Sequence, residues 1–163
     1  MKAFELALPT SAGTFRASYS DRGLAALRFP DRGTAPNPAS PRVPAAVRSW
    51  HRDTERAVKA VLSGRDPDAL PPLDLSRGTD FQRQVWRRLK SIRSGQTRSY
   101  GEIARELGKP GSARAVGGAC GANPIPVLIP CHRVLASNGK LGGFSGGLDW
   151  KKTLLRREGV TKS

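Results

Sequence analysis

The sequence predicts an α/β chain in two parts. Residues 1–75 are expected to form a small antiparallel sheet with one helix, and residues 76–163 a mainly helical part that includes a helix-turn-helix. Three observations lead to this prediction. They are short segments of partial alternation at the start, apolar residues at helical spacing from residue 45 onward, and a proline-rich stretch at residues 67–78. With 163 residues, the chain can bury a substantial core.

The first part begins with three short predicted strands. Apolar and polar residues alternate in part along each of them, and turn-forming residues separate them, which is typical of an antiparallel meander. The predicted strands are Phe4 to Leu8, Gly13 to Tyr19 and Leu24 to Phe29. Pro30 to Pro44 combines proline and glycine with polar residues and predicts a loop. Ala45 to Leu62 has its apolar residues on one helical face, so it predicts a helix that Gly64 ends.

Helix-start signals mark the beginning of the second part. Thr79 with Gln82 forms a possible capping box before an apolar stripe, and Ser99 with Glu102 forms another before a short helix. Ser112 follows a tight turn and is expected to cap the next helix. Two helices around a tight turn predict either a helix-turn-helix or an ordinary packed helix pair.

A final helix is predicted from Trp150 to Arg157. Asp149 is expected to cap its start, and Gly159 to end it.

The most informative segment is Cys131-His132, directly after Pro130 and an apolar run from Ile125 to Ile129. The run predicts a strand that must stop or turn at the proline, which cannot donate a backbone hydrogen bond. Cys131 is therefore expected at the end of an element, where functional side chains are often presented. A thiol needs a base or a positive environment to ionise, and His132 and Arg133 are candidates. Taken alone, the Cys-His pair fits either a catalytic nucleophile or a chance neighbour.

The surrounding residues distinguish these readings. Pro130-Cys131-His132-Arg133-Val134 is preceded by Arg114-Ala115-Val116-Gly117 and by Asn123-Pro124. Together these segments closely resemble the active-site signature of the O6-alkylguanine-DNA alkyltransferases, and the resemblance runs from about Thr79 to Gly159. It implies a ribonuclease-H-like N-terminal domain in residues 1–75 and a winged-helix-like domain for DNA binding and alkyl transfer in residues 76–163.

The resemblance also implies a function. The alkyl group of O6-alkylguanine, and of O4-alkylthymine as a further expected substrate, would pass irreversibly from duplex DNA to Cys131 after base flipping, once per protein molecule. No cofactor or metal is implied, and the expected state is a monomer. The alternatives are an alkylated-DNA-binding protein without transfer and a helix-turn-helix regulator.

Four residues carry the predicted chemistry by resemblance. Cys131 is the alkyl acceptor, and His132 acts as its base through a bridging water. Glu158 orients His132, although its position at a helix end also fits a surface acid. Asn123 joins the same network and links the recognition helix to the active-site segment; its alternative is a turn asparagine.

Further residues match the family's substrate and DNA contacts. Arg114 would enter the base stack or contact a phosphate, and Tyr100 would donate a hydrogen bond to the leaving guanine or fill the core. Ser145 would meet the guanine oxygen from a glycine-rich loop, Leu141 to Gly147, in which Phe144 stands where the family often has tyrosine. Lys151 is expected on the surface, as a phosphate contact or a solvated side chain. The remaining predicted contacts are Val134, Ser112, Ala115 and Gly117.

Charge and cysteine content agree with a DNA partner in a reducing compartment. Residues 1–75 carry 11 Lys and Arg against 8 Asp and Glu, a net +3, whereas residues 76–163 carry 17 against 5, a net +12. A four-ligand zinc site would need both cysteines and both histidines, including the proposed nucleophile, so no metal site is predicted. A free reactive thiol predicts the cytoplasm. No signal peptide or membrane helix is predicted.

Overall fold

A three-stranded antiparallel sheet forms the start of the chain, as predicted. The structure, a computed structural model, describes residues 3–31, 42–144 and 146–161. Strands β1 (Phe4–Thr10), β2 (Gly13–Tyr19) and β3 (Leu24–Arg28) pair in the order β1-β2-β3. The register places Leu6 opposite Ala17 and Leu8 opposite Phe15. Most of the predicted loop from Pro30 to Pro44 lies outside the described residues.

Helix α1 (Ala45–Leu62) packs against this sheet. Its buried residues recur at helical spacing, so that one face meets the sheet and the opposite face carries charged side chains. Gly64 follows with φ +80°, which only glycine adopts at low cost, and this explains why the helix ends there.

The second part is mainly helical, and its helix-turn-helix is confirmed. Helix α2 (Asp80–Leu89) begins with the predicted capping box, in which Thr79 and Gln82 exchange side-chain to backbone hydrogen bonds. Helices α3 (Tyr100–Glu106) and α4 (Ala113–Gly121) flank a turn at residues 107–112. The Trp86 indole nitrogen on α2 donates to the Ala119 carbonyl at 2.8 Å and anchors α4.

Two short strands and one helix complete the described chain. Strand β4 (Arg98–Ser99) pairs in parallel with strand β5 (Val134–Leu135), and helix α5 (Leu148–Arg157) follows. Gly159, with φ +83°, lies just beyond α5 as predicted.

Three local predictions were wrong. The run from Ile125 to Ile129 forms turns and not a strand, because Pro124, Pro126 and Pro130 lack backbone donors for a ladder. Ser112 occupies the cap position of α4 without a side-chain cap hydrogen bond, since its backbone (φ −96°, ψ 23°) is not extended. Helix α5 begins before Asp149, at Leu148, with Gly147 as its cap residue.

The two parts of the chain contact each other closely. The larger cluster of buried apolar residues has members from both, and the Leu27 amide donates to the Pro124 carbonyl at 2.9 Å. The division into domains at residues 75 and 76 stays a prediction. Over the residues that the structure describes, no helix is long and apolar enough to span a membrane.

Candidate active site

A cavity of about 590 Å³ opens beside α4 and contains the predicted nucleophile. Its wall is formed by α3, α4, the residues around β5 and the glycine-rich loop. The predicted site residues that line it are Tyr100, Arg114, Gly117 and Cys131. Phe144 and Cys120 line it as well, so the cavity is partly apolar and holds both cysteines of the chain.

A proline-rich turn places Cys131 in this cavity. The Asn123 side chain holds the turn at both ends, because its Nδ2 donates to the Ile129 carbonyl at 2.8 Å and its Oδ1 accepts from the Ile125 amide at 2.9 Å. Val127 has φ +76°, an unusual value for a β-branched residue, which shows how tightly the chain reverses here. Cys131 then begins a short 3₁₀ helix that ends at Arg133. Asn123, just after α4, therefore holds the turn that leads to the cysteine, and its part in the chemistry stays a prediction.

Burial dominates the ionisation of the Cys131 thiol. It raises the pKa of Cys131 to about 11, while a hydrogen bond with Asn123 and the charge of Lys151 act in the opposite direction. Burial therefore favours the protonated thiol over the thiolate. Burial raises the pKa of the neighbouring Cys120 still further, to about 12.

Behind the cysteine, His132, Arg133 and Glu158 form a buried group. The His132 Nε2 lies 3.1 Å from Glu158 Oε2, and Arg133 donates to both carboxylate oxygens, from Nε at 2.9 Å and from Nη2 at 2.6 Å. Burial raises the pKa of Glu158, but the hydrogen bonds from His132 and Arg133 outweigh it, so its pKa lies below the ordinary value. Glu158 is thus a buried carboxylate and not a surface acid.

The ionised carboxylate fixes the tautomer of His132. Since a carboxylate can only accept hydrogen bonds, Nε2 must carry the proton, which leaves the lone pair on Nδ1. Nδ1 is buried and makes no hydrogen bond to any residue that the structure describes. Burial lowers the pKa of His132 more than Glu158 raises it, so the ring is neutral and can take up a proton.

Lys151 differs from its predicted surface position. Its side chain is fully buried, and Nζ donates to the Val134 carbonyl at 2.8 Å and to the Gly143 carbonyl at 3.3 Å. The residue lies three and four positions before Leu154 and Leu155, on the buried face of α5, which explains its direction. Lys151 therefore connects β5 to the glycine-rich loop, and its ammonium group has no route to a phosphate in this structure.

The other predicted contacts differ in position, and of those named next only Arg114 and Gly117 line the cavity. Arg114 and Ala115 are exposed on α4, Ser112 and Gly117 are half-buried, and Val134 is buried in β5. Burial raises the pKa of Tyr100 to about 12, so its hydroxyl stays protonated and can donate a hydrogen bond. Ser145 lies outside the described residues.

Comparison with known proteins agrees with this geometry. Residues 80–160 match the family model of the 6-O-methylguanine DNA methyltransferase DNA-binding domain. A methylated-DNA–protein-cysteine methyltransferase of Methanosarcina acetivorans is 46% identical over 113 residues, which cover 68% of this chain and 70% of that protein. The chain belongs to the 6-O-methylguanine-DNA methyltransferase family.

Other members of the methyltransferase family show the extent of the likeness. A crystal structure of Mycobacterium tuberculosis OGT in complex with DNA has a TM-score of 0.74 and 38% identity, and the match covers 93% of this chain and 90% of that one. A methylated-DNA–protein-cysteine methyltransferase of Mycolicibacterium paratuberculosis is 62% identical over 86 residues. That alignment covers 53% of this chain and 52% of the relative, so it spans about half the relative's length.

Two features of this family member were not found by sequence reasoning. Arg133 stands within the quoted motif, but its two bonds to Glu158 depend on a contact between distant segments. Phe29, from the first part of the chain, packs against the ring of Phe144 on the cavity wall. Neither contact leaves a signal in the spacing of the residues concerned.

Proposed function

We propose that this chain repairs alkylated DNA by moving the alkyl group of O6-alkylguanine in duplex DNA onto the sulfur of Cys131. One observation carries the proposal: the cavity that holds Cys131 is also lined by Arg114 from the exposed side of α4 and by Tyr100. A nucleophile, a DNA-facing cation and a hydrogen-bond donor thus share one concave site. The DNA complex of the M. tuberculosis relative supports a DNA partner for this family.

The residues around Cys131 account for the proposed transfer. His132 Nδ1 takes the thiol proton through a bridging water, and the thiolate attacks the alkyl carbon. The carbon–oxygen bond breaks as the carbon–sulfur bond forms, and the guanine leaves as an anion that finally takes up the proton released by the thiol. Tyr100 donates a hydrogen bond to this leaving base and so lowers the cost of its charge. The thioether has no easy exit, which predicts one turnover per molecule.

The buried position of Cys131 requires the base to leave the DNA stack. Flipping costs a few kcal/mol, and Arg114 at the cavity mouth is placed to occupy the vacated position. Glycine and alanine residues along α4 allow the DNA to approach the helix closely.

The same cavity would serve O4-alkylthymine as a second substrate. The two free thiols fit a reducing compartment such as the cytoplasm, and the proposed state is a monomer.

The test is label transfer from duplex oligonucleotides that contain labelled O6-methylguanine. The wild-type protein should gain one methyl group, mapped by mass spectrometry to the peptide with Cys131. Cys131→Ser should gain none, and Cys120→Ser serves as the matched control, because that thiol lines the same cavity and should be dispensable. Label on Cys120, or a wild-type protein that binds the lesion without label, would refute transfer to Cys131; the second result would identify a lesion-binding protein.

A further inference from the structure

Four aromatic rings connect the N-terminal sheet to the wall of the cavity. Phe29, just after β3, meets the ring of Phe144 in a T-shaped arrangement with centroids 5.6 Å apart. On its other sides, Phe29 contacts Trp150 of α5 at 5.0 Å and Phe15 of β2 at 5.5 Å. Phe15 in turn meets Trp150 at 5.5 Å. Phe144 is the member of this cluster that lines the cavity with Cys131.

We propose that Phe29 determines the size of the alkyl group that the site accepts, because it supports Phe144 from behind and so fixes the part of the cavity wall that Phe144 forms. This inference rests on the proposed alkyl transfer and extends it to substrate range. It also gives Phe29, which follows the last strand of the N-terminal sheet, a role in substrate selection. The sheet itself contributes no reacting group. Phe29 is thus a positioning residue.

The contact between Phe29 and the loop leaves no free space. A Cβ atom on Gly146 would lie 2.5 Å from Phe29 Cε2, 2.6 Å from Phe29 Cδ2 and 3.0 Å from Phe144 Cε2. Since Phe29 is held by Phe15 and Trp150, its ring cannot easily yield. The loop therefore cannot move toward the sheet, and a larger alkyl group cannot widen the cavity by pushing Phe144 back.

Removal of the Phe29 ring should let the cavity wall formed by Phe144 move. A smaller side chain leaves space behind Phe144, and close-packed interiors respond by partial collapse of neighbouring groups into such space. The Phe144 ring can then move into the vacated space, which enlarges the cavity that also holds Cys131. A bulky group gains from this change, whereas a methyl group does not need it.

The experiment compares second-order transfer rates for O6-benzylguanine and O6-methylguanine placed in the same duplex. Phe29→Leu should raise the benzyl-to-methyl rate ratio about fivefold, since pocket volume discriminates substrates by about one to two orders of magnitude at most. Phe4→Leu is the matched control, because Phe4 is also a half-buried phenylalanine of the sheet that packs on the same core. It should lower the melting temperature without a change in the ratio.

A second variant tests the same contact with the opposite sign. Gly146→Ala adds a methyl group that collides with Phe29 and pushes the loop toward the cavity, so the benzyl-to-methyl ratio should fall. In the Phe29→Leu background, this effect of Gly146→Ala should be largely lost, because adjacent groups show non-additive energies.

The outcomes separate this inference from the proposed function. Wild-type protein without any transfer refutes the proposed function. Methyl transfer that persists in Phe29→Leu with an unchanged ratio overturns only the role of Phe29. A Phe29→Leu protein that fails to fold while Phe4→Leu folds also overturns it, because the ring would then serve the core alone.

Discussion

At the scale of single residues, the most consequential group is the carboxylate of Glu158, which two basic side chains share. His132 and Arg133 both contact Oε2, and Arg133 also holds Oε1. The remaining donors of Arg133 are directed to the Ile92 carbonyl at 2.5 Å and to Asp66 at 3.2 Å. Arg133 therefore fixes the carboxylate in one orientation, and His132 must align with it.

We predict that Glu158→Gln loses both stability and transfer rate. The buried Arg133 would lose the charge of its main partner, which costs about 3–5 kcal/mol of unfolding free energy. The rate should fall about 10- to 100-fold, because the imidazole would lack the group that orients it. Glu102→Gln, an exposed acid on α3, is the control and should change the unfolding free energy by less than about 0.5 kcal/mol.

Wild type and Glu158→Gln should also differ in how their free energy of unfolding depends on pH. The pKa of Glu158 is lowered on folding from an ordinary value of 4.5, so its stabilising contribution is complete above about pH 4.5 and is lost as the pH falls through the folded value. Urea unfolding of wild type and Glu158→Gln should therefore give a constant difference near pH 7 and a shrinking one below pH 4.5. A difference that grows on acidification would contradict the assignment.

Lys151 gives a second prediction at this scale. Its charge lowers the pKa of Cys131, so Lys151→Met should raise that pKa and displace the pH–rate profile to higher pH. Measured with free O6-benzylguanine, which removes DNA affinity from the comparison, the loss should be largest near pH 7 and diminish toward pH 10. Lys152→Met is the matched control, since that neighbour is exposed. Equal profiles for both variants would show that the buried ammonium does not act on the sulfur.

The residue types of the site could be predicted from the sequence, but not all their environments. Cys131, His132 and Asn123 stand in short motifs, and the bonds of Asn123 follow from a local turn. The partner of His132, Glu158, lies 26 residues further along the chain. The buried state of Lys151 depends on the helical phase of α5 and on two carbonyls from other segments. No local sequence pattern indicates that the carbonyl groups of Val134 and Gly143 will accept hydrogen bonds from a buried ammonium group.

At the scale of elements, α4 combines small residues with one exposed arginine beside the cavity. We predict that Arg114→Ala slows repair of O6-methylguanine in duplex DNA at least about tenfold, whereas reaction with free O6-benzylguanine is nearly unchanged, because only the duplex requires flipping. Arg105→Ala on α3 is the control: this exposed arginine does not line the cavity. Equal losses with both substrates would exclude a role for Arg114 in flipping.

Elements with their own start and stop signals were predictable. Thr79 caps α2 and Gly64 follows α1, and both were predictable because capping and positive φ are local properties of the chain. The segment before Cys131 was misjudged, since its apolar residues fit a buried strand as well as a buried turn. Its prolines, which remove the donors of a ladder, were the better signal. The start of α5 was also misjudged. Gly147, with φ +93°, is the cap residue in place of the predicted Asp149.

At the scale of the whole molecule, positive charge is concentrated in the part of the chain that holds the helix-turn-helix. Of the net charge of +15, residues 76–163 carry +12, and these residues include both helices of the helix-turn-helix. Binding to duplex DNA should weaken as salt increases, with a log–log slope of about −0.9 for each phosphate neutralised. Titrations between low and physiological salt measure this slope. An affinity independent of salt would exclude a predominantly electrostatic contact.

The aromatic cluster has a spectroscopic consequence. Trp150 lies against Phe29, and Phe29 against the ring that borders the cavity. Because Phe29 cannot easily yield, we expect an arriving substituent to press Phe144 onto Phe29 and Phe29 onto the indole, which should change the emission of Trp150. Tryptophan fluorescence, followed by stopped flow, should therefore report the entry of a substituent into the cavity without an added dye.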